Sequence, residues 1–228
     1  MDSDRRRMGR WVADSVQFYG GYGVGESELF DPMDWVARQL DIFILDRTEN
    51  RVSRFDIQLN FIQSIPIEDG EGGLFPTAMD LDSRGWIYVY SPETNEINRV
   101  DTRTYRLELF LDLNTIPDGE NCVQSLRFGA NDQLALLYDC VNEVHLFSRS
   151  GRLTRRFRIE IEDPEFILPI KKSWLILNQK GDAQILGETP FVLMKNGVAI
   201  QDVMIDEGFF NILTDSELII LDIDVAPR

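Results

Sequence analysis

The feature that most constrains this chain is a fifteen-residue stretch that occurs three times. Residues 42–56 read IFILDRTENRVSRFD, and residues 87–101 read IYVYSPETNEINRVD at a spacing of 45 without gaps. A third copy, LALLYDCVNEVHLFS at 134–148, follows after a spacing of 47. Each copy is a short apolar strand, a polar turn ending in Asn50, Asn95 or Asn142, and an alternating strand. Asparagine suits that turn because it tolerates left-handed backbone angles and can hydrogen-bond its own backbone. The flanks repeat too. Glycine-rich stretches (Gly20 to Gly25, Gly70 to Gly73) lead to Phe30-Asp-Pro32 and Phe75-Pro76. Further strands are expected downstream at 59–65, 105–111 and 153–161. The unit is therefore four short strands in about 40–45 residues, the period of a propeller blade.

The second half keeps the rhythm in degraded form. Residues 165–170, 173–177, 183–186 and 191–194 read as a shortened blade, and 201–205, 209–213 and 217–222 as three further strands. A strand at 11–18 can supply the missing fourth. The fold class expected is all-β: a single β-propeller of five four-stranded blades, closed by the N-terminal strand pairing into the last blade. Its blades fall at about 30–65, 75–113, 122–161, 164–196 and 199–224 plus 11–18, after a flexible basic arm at 1–10. No useful helical periodicity is present.

These residues resemble the NHL-repeat propellers. The shared pattern is a glycine-rich lead, Phe-x-Pro, a strand, three apolar residues and Asp, then Asn and an alternating strand. Residues 20–65 match it best, through Phe30, Pro32, Asp46, Asn50, Arg51 and Val52. Residues 70–113 match through Pro76, Gly85 and Tyr88-Val-Tyr90, with Ser91 in place of the aspartate; the third unit keeps Asp139 and Asn142. The resemblance covers about half the chain and implies fold more than activity. Its members commonly have six blades, so five is a departure. Some are amidating lyases that hold a metal with several histidines; this chain has one, His145, so that activity is not carried over.

Charge narrows the function further. The 228 residues carry 23 Lys+Arg against 39 Asp+Glu, a net charge of −16, which excludes a general nucleic-acid binder. No apolar run reaches the ~20 residues of a transmembrane helix. The opening arginines are not followed by an apolar segment, so they do not read as a secretory signal. The two cysteines, Cys122 and Cys140, flank two strand-like runs around a turn at 129–132 and fall nearly opposite each other, as a disulfide or as two buried thiols. A disulfide favours a periplasmic or extracellular home over the cytoplasm.

Catalytic motifs are scarce. There is no G-x-S-x-G elbow, no P-loop and no D-x-[DN]-x-[DN]-G calcium loop, and the glycines at 20–25 precede a strand rather than open a helix. The expected reading is a non-catalytic interaction or assembly subunit, without metal or cofactor, binding protein partners and associating peripherally with an envelope surface. Its contact residues are expected to be Arg47, Asn50, Asn95 and Asn142 in the turns, and Tyr19 and Tyr22 in the first link. The links at 19–29 and 67–74 should share that face. Arg152, Arg155 and Arg156, in a run that also holds Arg149 and Arg158, complete the set as a docking patch or a charged edge strand. The alternative is a carbohydrate-binding or glycoside-cleaving propeller using Asp34, Asp80, Asp82 or Asp206 beside an exposed tryptophan.

Overall fold

The computed structural model describes residues 1, 4–12, 15–68, 72–117, 120–171, 173–194, 197–206 and 208–223. Ala13 and Asp14 of the expected closing strand, residues 69–71 of the second link, and the expected blade ends at 195–196 and 224 lie outside the described residues. The chain divides into two compact units, Met1–Asn121 and Cys122–Arg228.

The architecture is all-β, a β-propeller of five blades, and among the described residues helix is confined to two single 3-10 turns, Leu113–Thr115 and Ala130–Asp132. The first unit opens with β1 (Arg7–Val12) and β2 (Ser15–Gly20). Its first blade is β3 (Pro32–Arg38), β4 (Asp41–Asp46), β5 (Arg51–Asp56) and β6 (Phe61–Pro66). Its second is β7 (Ala78–Leu81), β8 (Trp86–Ser91), β9 (Glu96–Asp101) and β10 (Leu107–Asp112). The second unit holds β11 (Val123–Phe128), β12 (Leu134–Tyr138), β13 (Glu143–Phe147) and β14 (Leu153–Arg158) as its first blade. Then come β15 (Phe166–Ile170), β16 (Ser173–Leu177), β17 (Asp182–Ile185) and β18 (Phe191–Val192), and last β19 (Ile200–Asp206), β20 (Phe209–Thr214) and β21 (Leu218–Asp222). All pairings are antiparallel between sequential strands, as hairpin-length connections require. Within each unit the first strands of successive blades lie side by side, β3 by β7, β11 by β15 and β15 by β19.

Alternation decides which faces are buried. β5 turns Val52 toward the second blade, where it meets Phe43, Leu45, Met79, Leu81, Ile87 and Val89 in one apolar cluster. β16 has no polar face, because its sheet is covered on both sides. Trp174 and Ile176 pack toward β12 and β13, while Leu175 and Leu177 pack toward β19 and β20. Each such side chain contributes about 1.5–3 kcal/mol by leaving water.

The turn asparagines take the backbone conformation their chemistry allows: φ is 46° at Asn50, 54° at Asn95 and 52° at Asn142. Each also accepts, on its carbonyl, the N–H of the residue just after its blade's fourth strand: Ile67 (2.7 Å), Leu113 (3.1 Å) and Ile159 (2.8 Å). In the clipped fourth blade Gly181 does this work, at φ 89°, accepting from Leu193. A Cβ there would lie 2.6 Å from the Met194 carbonyl oxygen, so no side chain fits.

Two expectations fail at the N-terminus. Residues 7–10, expected in a flexible arm, form the first part of β1. The described residues of 11–18 pair within a hairpin and not into the last blade: β1 and β2 pair with each other, from Arg7↔Gly20 to Val12↔Ser15, and among the described residues the last sheet has three strands. The reason is packing. Met8 and Tyr19 are opposite in the hairpin and turn together onto the first blade, joining Leu29, Ile44, Phe55 and Leu59.

Candidate binding surfaces

The best-organised surface is the link at 20–31 and the β4–β5 turn against which it lies. The motif aspartate, Asp46, is fully buried, and its carboxylate accepts the N–H groups of Phe30 (2.8 Å) and Asp31 (3.0 Å). Buried Arg51, 3.8 Å from that carboxylate, donates to the carbonyls of Gly25 (3.1 Å) and Glu28 (2.8 Å). Glu28 in turn accepts the Gly25 N–H at 2.9 Å. The loop is therefore pinned from beneath by a paired cation, while its outer residues face water: Tyr22 is 61% and Val24 62% exposed. Tyr22 stacks beside Phe30 with ring centroids 5.1 Å apart, and the Arg6 guanidinium sits 4.6 Å from its ring.

The expected contact residues divide sharply. Tyr22 stands out on the surface and Arg47 is half-exposed, held by Asp31 at 2.7 Å. Tyr19 packs into the hairpin–blade cluster and donates to Gln17. Asn50 and Asn95 are buried: Asn50 accepts the Phe75 N–H, and Asn95 accepts the Tyr90 hydroxyl and donates to Asn114. Asn142 is half-buried in its turn. Asn50 and Asn95 hold their blades' turns instead of presenting side chains outward.

In the second unit, Arg152, Arg155, Arg156 and Arg158 are exposed on or beside the outer strand β14. Arg155 lies 5.7 Å from the Phe157 ring, and Arg149 reaches Asp132 at 3.5 Å. Cys122 and Cys140 are joined in a disulfide with Cα atoms 6.1 Å apart. Asp139 lies beside them, its carboxylate within 4.8 Å of both sulfurs, which the disulfide occupies.

The carboxylates weighed for glycoside chemistry serve other ends. Asp34 accepts the N–H of Trp35 and, across to β7, of Met79. Buried Asp80 accepts from Arg38 at 3.2 Å, and Asp82 holds Arg84 at 2.9 Å. Asp206 ends β19 on an exposed position. His145 is buried against Tyr138 and bonded to Glu143 at 2.8 Å. Burial pushes its imidazole below its usual pKa, with Glu143 opposing.

One feature escaped the sequence reading. Arg84, Gly85, Trp86, Asp101, Thr102 and Arg103 line a polar pocket of about 270 Å³ at one end of the second blade. The signal was there in the paired turns Asp82-Ser-Arg84 and Asp101-Thr-Arg103. Each aspartate accepts the N–H two residues on, at 2.9 and 2.8 Å, so each turn projects its arginine. Trp86 is half-buried there with Arg99 over its ring at 4.7 Å, while Trp174 is buried and Trp35 packs beside the first blade's core.

No family model and no curated protein matches this chain, so the NHL resemblance has no support at the level of a family. Solved structures do match. A catalytically inactive variant of virginiamycin B lyase from Staphylococcus aureus, with quinupristin, aligns at TM-score 0.67 and 15% identity over 96% of this chain and 73% of that one. A streptogramin B lyase aligns at TM-score 0.59 and 12% identity, over 86% of this chain and 70% of that one. Hydrazine synthase of Kuenenia stuttgartiensis aligns at 0.56 and 14% identity, over 85% and 59%. At these identities the likeness shows the fold alone. It corrects one expectation nonetheless: enzymes are built on this architecture, so the scarcity of familiar motifs does not make the chain non-catalytic.

Proposed function

We propose that the chain is a protein-binding subunit of a larger assembly and docks a partner on the first link, through Tyr22, Val24 and Arg47. One observation carries this reading: two large side chains, each more than 60% exposed, sit on a loop whose backbone is fixed from below by buried Arg51. An aromatic anchor on a preorganised loop meets a partner without the entropic cost of ordering that loop. The arginines of β14 give the second unit a contact for acidic segments, where complementary charge raises the rate of encounter. The disulfide supports an oxidising compartment as the setting.

The test is site-specific photo-crosslinking with a photoreactive phenylalanine at position 22 in native extract. The expected result is a discrete adduct that wild-type protein competes away and Val24→Asp competes at least tenfold less well, the scale of a lost anchor. Absence of any competable adduct overturns the reading.

A further inference from the structure

Two sheet faces carry contiguous exposed apolar side chains. The hairpin's inner face packs on the first blade, and its outer face carries Trp11 (69% exposed), Val16 (37%) and Phe18 (52%). Register places them in adjacent rows, Trp11↔Val16 and Gly9↔Phe18, with Arg7 next along β1. Its guanidinium lies 3.6 Å from the centre of the Phe18 ring. Gly9 makes that seat, since a Cβ there would meet Val16 at 3.0 Å and Phe18 at 3.4 Å.

The second open face is on the last sheet. Its inner side packs on the fourth blade through Val203, Phe210 and Ile212. Its outer side presents the rows Asp206–Phe209–Asp222, Met204–Asn211–Ile220 and Asp202–Leu213–Leu218. Phe209 (43%), Leu213 (37%), Leu218 (51%) and Ile220 (59%) are all exposed, with carboxylates at the corners. Among the described residues β21 pairs only with β20, so its other edge offers a row of N–H and C=O groups. Exposed apolar residues of the complete blades, such as Ile62 and Leu109, stand singly on outer strands; here they are contiguous.

The two faces differ in charge: the hairpin's outer face carries Arg7, whereas the outer rows of the last sheet carry Asp202, Asp206 and Asp222. Residues 1–20 carry four arginines against three aspartates, whereas residues 200–222 carry six carboxylates and no basic residue. In a chain of net charge −16 the first stretch is an exception. We infer that the hairpin face of one copy docks on the open face of the last sheet of a second copy, a head-to-tail interface between two different patches. A heterologous contact of this kind extends to a ring or a filament. The inference concerns surfaces apart from the first link, and stands whether or not a partner binds there.

Sedimentation velocity over about 1–100 μM tests it by mass action. The wild type is expected to grow beyond a dimer with concentration, and to grow less at high salt, which screens the charge contrast. Trp11→Glu and Ile220→Glu should each stay monomeric, while an equimolar mixture of the two forms a heterodimer and nothing larger, because each variant retains one intact patch. A wild type monomeric throughout the range overturns the inference, and so does a Trp11→Glu variant that still associates, which would mean like faces meet. A second measurement does not depend on the variants' folding. A photoreactive phenylalanine at position 209, in a mixture of light and heavy isotope-labelled protein, should crosslink to residues 7–20 of another copy; crosslinks to the last sheet itself overturn it.

Discussion

The first and third blades solve one problem with different chemistry. In both, the residue just before the first strand must be tied to the turn after the second. In the first blade Asp31 accepts from Arg47 (2.7 Å) and from the Thr48 hydroxyl (2.9 Å). In the third blade Cys122 precedes β11 as Asp31 precedes β3, Cys140 stands where the repeat puts Thr48, and the tie is covalent. The second-strand ends differ as well. Asp46 captures two N–H groups of the incoming link, whereas the third blade has Tyr138 there, and its β13 begins with Glu143 in place of Arg51. Glu143 turns back to His145 instead of reaching a link. So the third blade lacks the buried Asp–Arg pair, and the tie it does have is the covalent one at Cys122. The turn after the second strand is a clasp in both blades, and in the first it is the turn whose Asn50 faces inward.

The comparison breaks most severely at Asp46. Asp46→Ala leaves Arg51 buried beside two unpaired N–H groups, and the loss should be about 3–5 kcal/mol. Urea denaturation followed by tryptophan fluorescence measures it. A loss below about 1 kcal/mol would show that the pair is not what holds the link. Asp46→Asn, which keeps one acceptor, should fall between.

Opening the covalent clasp comes next. A separation of 18 residues between Cys122 and Cys140 implies about 3 kcal/mol from restriction of the unfolded chain. Wild-type denaturation with and without reductant, beside Cys122→Ser/Cys140→Ser, should show this loss in both treatments. If the double variant is as stable as the oxidised protein, the parallel with Asp31 fails. Thr48→Val removes one neutral hydrogen bond from the polar clasp and should cost about 1 kcal/mol, unaffected by reductant.

Much of this was legible in the sequence, and the reasons are local. Asn50, Asn95 and Asn142 were readable because a left-handed turn admits few residue types, and the strands because alternation reports which face is buried. The closing strand misled because the alternation at 11–18 fits a hairpin on itself as well as an edge of the last blade. Its true partner was fixed by Met8 and Tyr19 meeting Leu29 and Phe55, a contact across distant residues. The binding surface was half visible. Tyr22 was found by type, but the grip of Arg51 on the Gly25 and Glu28 carbonyls leaves no mark in sequence, since any residue supplies a carbonyl.

The smallest expected effect lies in the third blade, and its sign separates the two blades under acid. His145 is buried with its pKa held below the ordinary 6.5, chiefly by loss of solvent, with Arg156 adding to the shift and Glu143 opposing it. The unfolded chain therefore takes up a proton near pH 6.5 that the folded blade refuses. Stability is unaffected above that pH, falls as the pH drops through it, and levels off once the folded pKa is passed. A lowered carboxylate such as Glu108, held by Arg99, acts on the same principle but only at lower pH, near 4.5 and below. Thermal midpoints measured between about pH 7.5 and 5 should thus decline for the wild type and stay flatter for His145→Gln, which keeps a hydrogen-bonding side chain without a titrating one. A decline of equal slope in both proteins would assign the acid sensitivity to carboxylates and leave His145 a packing residue beneath Tyr138.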